Sequence, residues 1–173
     1  MKKRTLGLLL LAVLVSAVGF YPVHLLQIEA PRKAMAVFVR LLQPGDRFSL
    51  MYRHSVELCP IWDRFRVDEE YRLILDETVF SSSNTGLPAV LGKNEKFDRD
   101  GAAFRISNMQ RILPAVEIWV DHRYDNTLEF GEQKILLPEL AGNTLLRLRI
   151  RRVPLAEWAY RKAHSFVRSL ARR

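Results

Sequence analysis

The stretch Arg47-Phe48-Ser49-Leu50-Met51-Tyr52-Arg53-His54 alternates without a break, with Phe48, Leu50, Tyr52 and His54 on one side and Arg47, Ser49, Met51 and Arg53 on the other. A period of two is what a half-buried strand requires, since successive side chains point to opposite faces of a sheet. Phe65 and Val67 repeat the pattern against Arg64 and Arg66, and Tyr71, Leu73 and Leu75 resume it after the polar Asp68-Glu69-Glu70. Residues 61–80 therefore read as a β-hairpin. Further β-branched or alternating runs stand at 35–42, 103–107, 112–120, 133–137 and 144–152, while Gly92 to Gly101, rich in Lys, Asn, Glu and Asp, reads as an exposed loop. Seven or eight short strands in about 120 residues, with no long helical period between them, predict an all-β domain over 29–153, an antiparallel β-sandwich or open barrel.

Outside that span the period changes. Lys2, Lys3 and Arg4 precede a segment, Thr5 to Leu26, that holds no Asp, Glu, Lys or Arg. As one helix it measures about 33 Å, against about 30 Å of bilayer hydrocarbon. The expectation is an uncleaved signal anchor, a transmembrane helix within residues 1–28; the alternative is a cleaved signal peptide with its site at Val15-Ser16-Ala17. In both, basic residues ahead of the apolar run stay in the cytoplasm, so the β-domain lies on the extracytoplasmic side of the membrane. In residues 154–173, Leu155, Trp158, Ala159, Ala163, Phe166, Val167 and Leu170 recur at three- and four-residue steps, with Arg161, His164, Arg168 and Arg172 opposite them. This is a basic amphipathic helix. Its apolar stripe either packs on the β-domain or meets the lipid interface or an acidic partner, and Trp158, Arg161, Lys162, Phe166 and Arg168 are the candidate contacts.

Charge decides which partners are admitted. The 173 residues carry 27 Lys and Arg against 19 Asp and Glu, a formal charge of +8, yet residues 29–153 hold 19 basic and 18 acidic groups. The surplus sits at the two ends. A nucleic-acid-binding domain carries its basic stripe on the folded body, so nucleic acid is set aside as a partner and membrane lipid is kept. With 49% apolar residues the chain can bury a core, which excludes disorder as its main state. The single Cys59 makes no internal disulfide and reads as a small buried hydrophobe.

The residues richest in chemistry are Tyr52, His54, Ser55 and Glu57. On a regular strand His54 and Glu57 point to opposite faces, so they converge only where the strand ends or bulges near Ser55. Glu77 shares the parity of Leu73, Leu75 and Val79, which aims a carboxylate inward on an unbroken strand, with His54 and Arg53 as candidate partners. Ser81-Ser82-Ser83-Asn84-Thr85-Gly86-Leu87-Pro88 follows, a run that turns a corner or presents hydroxyls and N–H groups to an anion. The expectation is one polar cluster of Tyr52, His54, Ser55, Glu57, Glu77, Ser82, Gly86 and Pro88. His122 with Asp121 and Asp125 lacks a second His or Cys at ligand spacing and reads as a solvated loop. No metal or cofactor is expected, and no phosphate-binding glycine loop or nucleophile elbow occurs.

Gly45-Asp46-Arg47-Phe48, the run Tyr52 to Glu57, Pro60 with Phe65, Glu77 with Phe80-Ser81-Ser82, and Gly86-Leu87-Pro88 together resemble the domain-of-unknown-function 1850 family. The match in order and spacing covers residues 45–88, with looser agreement to 152. The chain departs from the family where Asn84-Thr85 replaces a usual Gly-Ala pair. The resemblance implies a small exported or membrane-anchored accessory protein encoded with TAXI-type TRAP transporters, which import organic acids through a soluble solute-binding protein and a cation-coupled permease. It implies no enzymatic activity. Two readings from other classes stand beside it: a hydrolase-like envelope enzyme using His54 with Glu57 or Glu77, in which Ser55 lies opposite its base, and a non-catalytic envelope assembly module.

Overall fold

The computed structural model describes the backbone over residues 2–33, 35–54, 58–81 and 91–170, and the side chains over 7–10, 13–33, 36–54, 58–81, 91–99 and 101–162. The chain forms two compact units, one of residues 26–150 and one of residues 1–25 with 151–173.

The unit of residues 26–150 is built of strands in two open sheets. The larger contains β3 (Arg47–Arg53), β4 (Pro60–Val67), β5 (Leu73–Phe80), β6 (Lys96–Asp100), β7 (Ala103–Ser107), β8 (Arg111–Leu113), β10 (Thr127–Phe130) and β11 (Gln133–Leu136). Its order is β11-β10-β3-β4-β5-β7-β6, with β8 also paired to β5. Every one of these pairings is antiparallel. The smaller sheet has the order β2-β1-β12-β9, from β1 (Pro22–Ala30), β2 (Met35–Leu42), β9 (Val116–Val120) and β12 (Thr144–Pro154). One apolar cluster draws on both: Leu26, Ile28, Ile118, Val120, Leu146 and Leu148 from the smaller sheet meet Phe48, Leu50, Phe65, Val67, Leu128 and Phe130 from the larger. The all-β expectation holds, and both sheets are open. Short helix α2 (Leu137–Ala141) adds Leu137 and Ala141 to the same cluster. Where the edges β2 and β11 approach, the Arg40 guanidinium lies 3.7 Å from the Phe130 ring centre and donates to Gln133.

The alternation survives from Arg47 to Arg53, with Phe48 and Leu50 buried and Tyr52 half-buried, and stops short of His54. It starts at a tight turn that fits its residues: Pro44 sets the first central φ, Gly45 adopts φ 87°, and Asp46 N–H donates to Gln43 O. The expected 61–80 hairpin is β4 and β5, turned by Asp68, whose carboxylate accepts from the Glu70 and Arg72 N–H groups.

Three expectations change. The predicted loop Gly92–Gly101 contains β6, the last strand of the larger sheet, whose charged residues are what protects an open sheet edge from further pairing. The run 112–120 divides at Pro114 into β8 and β9, which lie in different sheets. Most consequential, Thr5 to Leu26 is not one helix. Helix α1 (Lys2–Gly19) stops before Pro22, which lacks an N–H and pushes Tyr21 out of the helical region, and β1 begins there with Leu25, Leu26 and Ile28 fully buried. The uncharged part of α1, Thr5–Gly19, is about 22 Å long. No helix among the described residues is long and apolar enough to cross a membrane.

The second unit brings the chain's ends together. Helix α3 (Leu155–Leu170) starts beside the end of α1: Leu155 N–H donates to Tyr21 O at 2.8 Å, and a side chain at Gly19 would meet the Ala156 methyl at 3.7 Å. Helix α1 has no polar face. Leu8, Leu9, Leu10, Val13 and Leu14 are all 60% exposed or more. Within this unit, burial and the neighbouring Arg152 both lower the His24 pKa from its ordinary value.

Candidate functional site

The larger sheet carries polar groups on both faces, and the sequence-predicted cluster divides between them. On the inner face, Tyr52 of β3 donates its hydroxyl to Asp63 Oδ2 of β4 at 3.0 Å, and Thr78 of β5 donates to Asp63 Oδ1 at 2.8 Å. Register explains the convergence. Asp63 faces Leu50 and Thr78 across the ladder, and Tyr52 sits two pairs further along on the same face, within diagonal reach. Asp63 is buried and Thr78 is 3% exposed. Burial pushes the Asp63 carboxyl above its ordinary range, against the two hydroxyls that donate to its charged form. Burial also pushes the Tyr52 phenol far up, with the Asp63 charge adding to it.

This seam lies between two apolar clusters. Tyr52 and Leu75 pack against both the main core and a second group formed by Ile61, Phe80, Ile106 and Met109. The bonds cross-link three adjacent strands where the apolar layer of the inner face is interrupted. Asp63 and Thr78 were not among the predicted cluster. The signal for Asp63 was present, because it shares the parity of Ile61, Phe65 and Val67.

Glu77 lies on the opposite face from its expected one. The β4–β5 register runs Arg64 to Glu77 and then Phe65 to Leu75, so Asp76 is an extra residue and the parity of β5 reverses there. Before the bulge Leu73 is buried; after it Thr78 and Phe80 are, and Glu77 faces outward. Its carboxylate meets Arg64 at 2.5 Å and Arg105 at 3.8 Å, rather than Arg53, which donates to Leu58 O. Across the outer face Lys134, Glu129, Ser49, Arg64 and Glu77 are successive cross-strand partners. Ion pairs or hydrogen bonds link Lys134 to Glu129, Ser49 to Glu129 and Arg64 to Glu77. A second row beside it places Leu136, Met51, Trp62 and Val79 on the same face, with Trp62 36% exposed. Replacing Glu77 with Gln is expected to cost about 1 kcal/mol, because Arg64 is more than half exposed although Glu77 itself is largely covered. It should leave the His54 imidazole resonances in place; a shift in them would reinstate the predicted coupling.

His54 ends β3 rather than standing inside it. Its N–H donates to Cys59 O at 2.9 Å and its carbonyl accepts from Leu58 N–H at 3.0 Å, which closes the β3–β4 connection. Cys59 is half-buried in that connection, more open than expected. Ser55, Glu57, Ser82, Gly86 and Pro88 lie outside the described residues, as do the side chains of Phe166 and Arg168. Of the cluster's described members, Tyr52, His54 and Glu77, Tyr52 is the one that bonds within the buried seam.

Elsewhere in the unit of residues 26–150, Asp121 is held by Arg123, whose guanidinium and N–H bring its pKa down to about 2. His122 N–H donates to Asn143. Among the described residues no three metal-ligating side chains gather. A shallow open depression lined by Arg47, Arg66, Asp68, Glu70, Arg72 and Ile112 lies at the β4–β5 turn, away from the Asp63 seam.

A family model described as a domain of unknown function (DUF1850) matches residues 48–137. That span takes in nearly all of the larger sheet together with β9, while β1, β2 and β12 of the smaller sheet fall outside it. No curated protein and no solved structure matches the chain.

Proposed function

Since the chain belongs to the domain of unknown function family DUF1850, we propose that it is an exported accessory protein of a TAXI-type TRAP transporter. It works at the outer side of the cytoplasmic membrane by binding the permease or the solute-binding protein during organic-acid uptake. The observation that carries a binding role is the employment of the two central carboxylates. Asp63 ties β3, β4 and β5 together from inside, and Glu77 ties Arg64 and Arg105 together from outside. Both serve the sheet that the family span encodes. The outer face they brace is broad and amphiphilic, with Trp62 and Met51 beside a ladder of alternating charge, a composition suited to a protein contact. Export is supported by Lys2, Lys3 and Arg4 ahead of the uncharged Thr5–Gly19, whose 15 residues match the apolar core of a signal segment.

Purified full-length chain, mixed with the purified solute-binding protein or the detergent-solubilised permease of the same cell, is expected to co-elute with one of them on size exclusion. Separate elution from both overturns the reading.

A further inference from the structure

The charge surplus that composition assigned to two ends becomes, in the folded chain, one feature. The unit of residues 1–25 and 151–173 contains ten basic side chains and a single acid, Glu157, whereas residues 26–150 hold seventeen basic and eighteen acidic groups. Glu157 is itself taken by Arg161 at 2.9 Å. The remaining cations share this unit with exposed apolar and aromatic groups: Phe20 is 77% exposed, Tyr21 65% and Tyr160 66%. On α3 the Lys162 ammonium lies 5.1 Å from the Trp158 ring centre, a charged head above an aromatic body.

We propose that this unit is a binding site for anionic phospholipid, with α3 lying in the headgroup region. Charge selects the occupant. An unbalanced cluster of Arg and Lys gains from a negative bilayer surface, and each such residue near it strengthens binding about fivefold. The apolar partner fits as well. Exposed Phe20, Tyr21 and Tyr160, with the half-buried Trp158, stand beside cations, and such aromatic groups settle at the boundary between headgroups and acyl chains. Helix α1, apolar all round and abutting α3 at Gly19, adds burial that does not depend on lipid charge. The inference names the ligand behind the membrane location proposed above and rests on that reading only for the side of the membrane. It requires no transporter, so the two fail separately.

The test uses purified full-length chain and sedimentation with vesicles of phosphatidylcholine alone or mixed equally with phosphatidylglycerol. Binding to the anionic vesicles is expected to exceed that to the neutral ones by at least about a hundredfold at low salt. The preference should vanish near 1 M salt, where the Debye length falls to about 3 Å. The triple variant Arg161→Gln, Lys162→Gln, Arg168→Gln keeps good helix formers and all of α1, and should lose on the order of a hundredfold in binding to anionic vesicles. Equal binding of the full-length chain to both vesicle types, or equal binding of variant and parent, overturns the proposal. Should the variant fail to fold, the lipid and salt dependence of the parent chain decides alone.

Discussion

A chain lacking its first 28 residues is expected not to fold, whereas one lacking its first 18 unfolds in a single cooperative transition. Composition alone assigns all 28 residues to one export segment and treats the two cuts alike. The fold separates them, because Pro22–Ala30 is β1, hydrogen-bonded between β2 and β12 in the smaller sheet. Leu25, Leu26 and Ile28 are each fully buried, and burying one such side chain contributes about 1.5–3 kcal/mol. Losing three removes roughly 5–9 kcal/mol before any ladder hydrogen bond is counted, comparable with the whole stability of an ordinary domain. Circular dichroism during thermal denaturation checks this. A cooperative melt from the longer deletion contradicts the place given to β1.

The second large effect is at Asp63. Replacing it with Ala leaves the Tyr52 and Thr78 hydroxyls without their acceptor in a buried seam, and should cost on the order of 3 kcal/mol in urea denaturation. Asp63→Asn keeps the shape and one acceptor and should cost less. The pair also has a pH signature. Burial raises the Asp63 pKa in the folded chain, so across the interval between its ordinary and raised values the folded state holds a proton that the unfolded state has released. Stability then falls as pH rises through that interval, and above it the folded chain carries a buried charge. Asp63→Asn removes this contribution, so the stability gap between parent and variant should narrow with rising pH. A gap that stays constant would mean that folding leaves the Asp63 pKa where it was, and one that widens that folding lowers it; either contradicts the raised value.

Most of the larger sheet was legible because period-two alternation is a local signal. Phe48, Leu50, Phe65 and Val67 each announce the inner face within a few residues of chain. Position along the chain could not reveal the bulge at Asp76, since an extra residue opposite Arg64 depends on pairing with β4. That one residue moved Glu77 from a supposed inner cluster to the outer face. Asp63 was overlooked for the opposite reason: its parity was plain, but a carboxylate between Trp62 and Arg64 looks solvated until Tyr52 and Thr78 are brought beside it. The end of α1 was legible in Pro22, yet the absence of charge through Leu26 suggested one long helix. What stayed hidden altogether was the joining of the chain's ends, because nothing local tells Gly19 that it will lie against Ala156.

The most direct test of the proposed role is extraction of tagged full-length chain from its own cells in a gentle detergent, with identification of the proteins that accompany it. Enrichment of a TAXI-type TRAP permease or its solute-binding protein over an untagged control is the predicted result. Recovery of the chain with neither component enriched contradicts it.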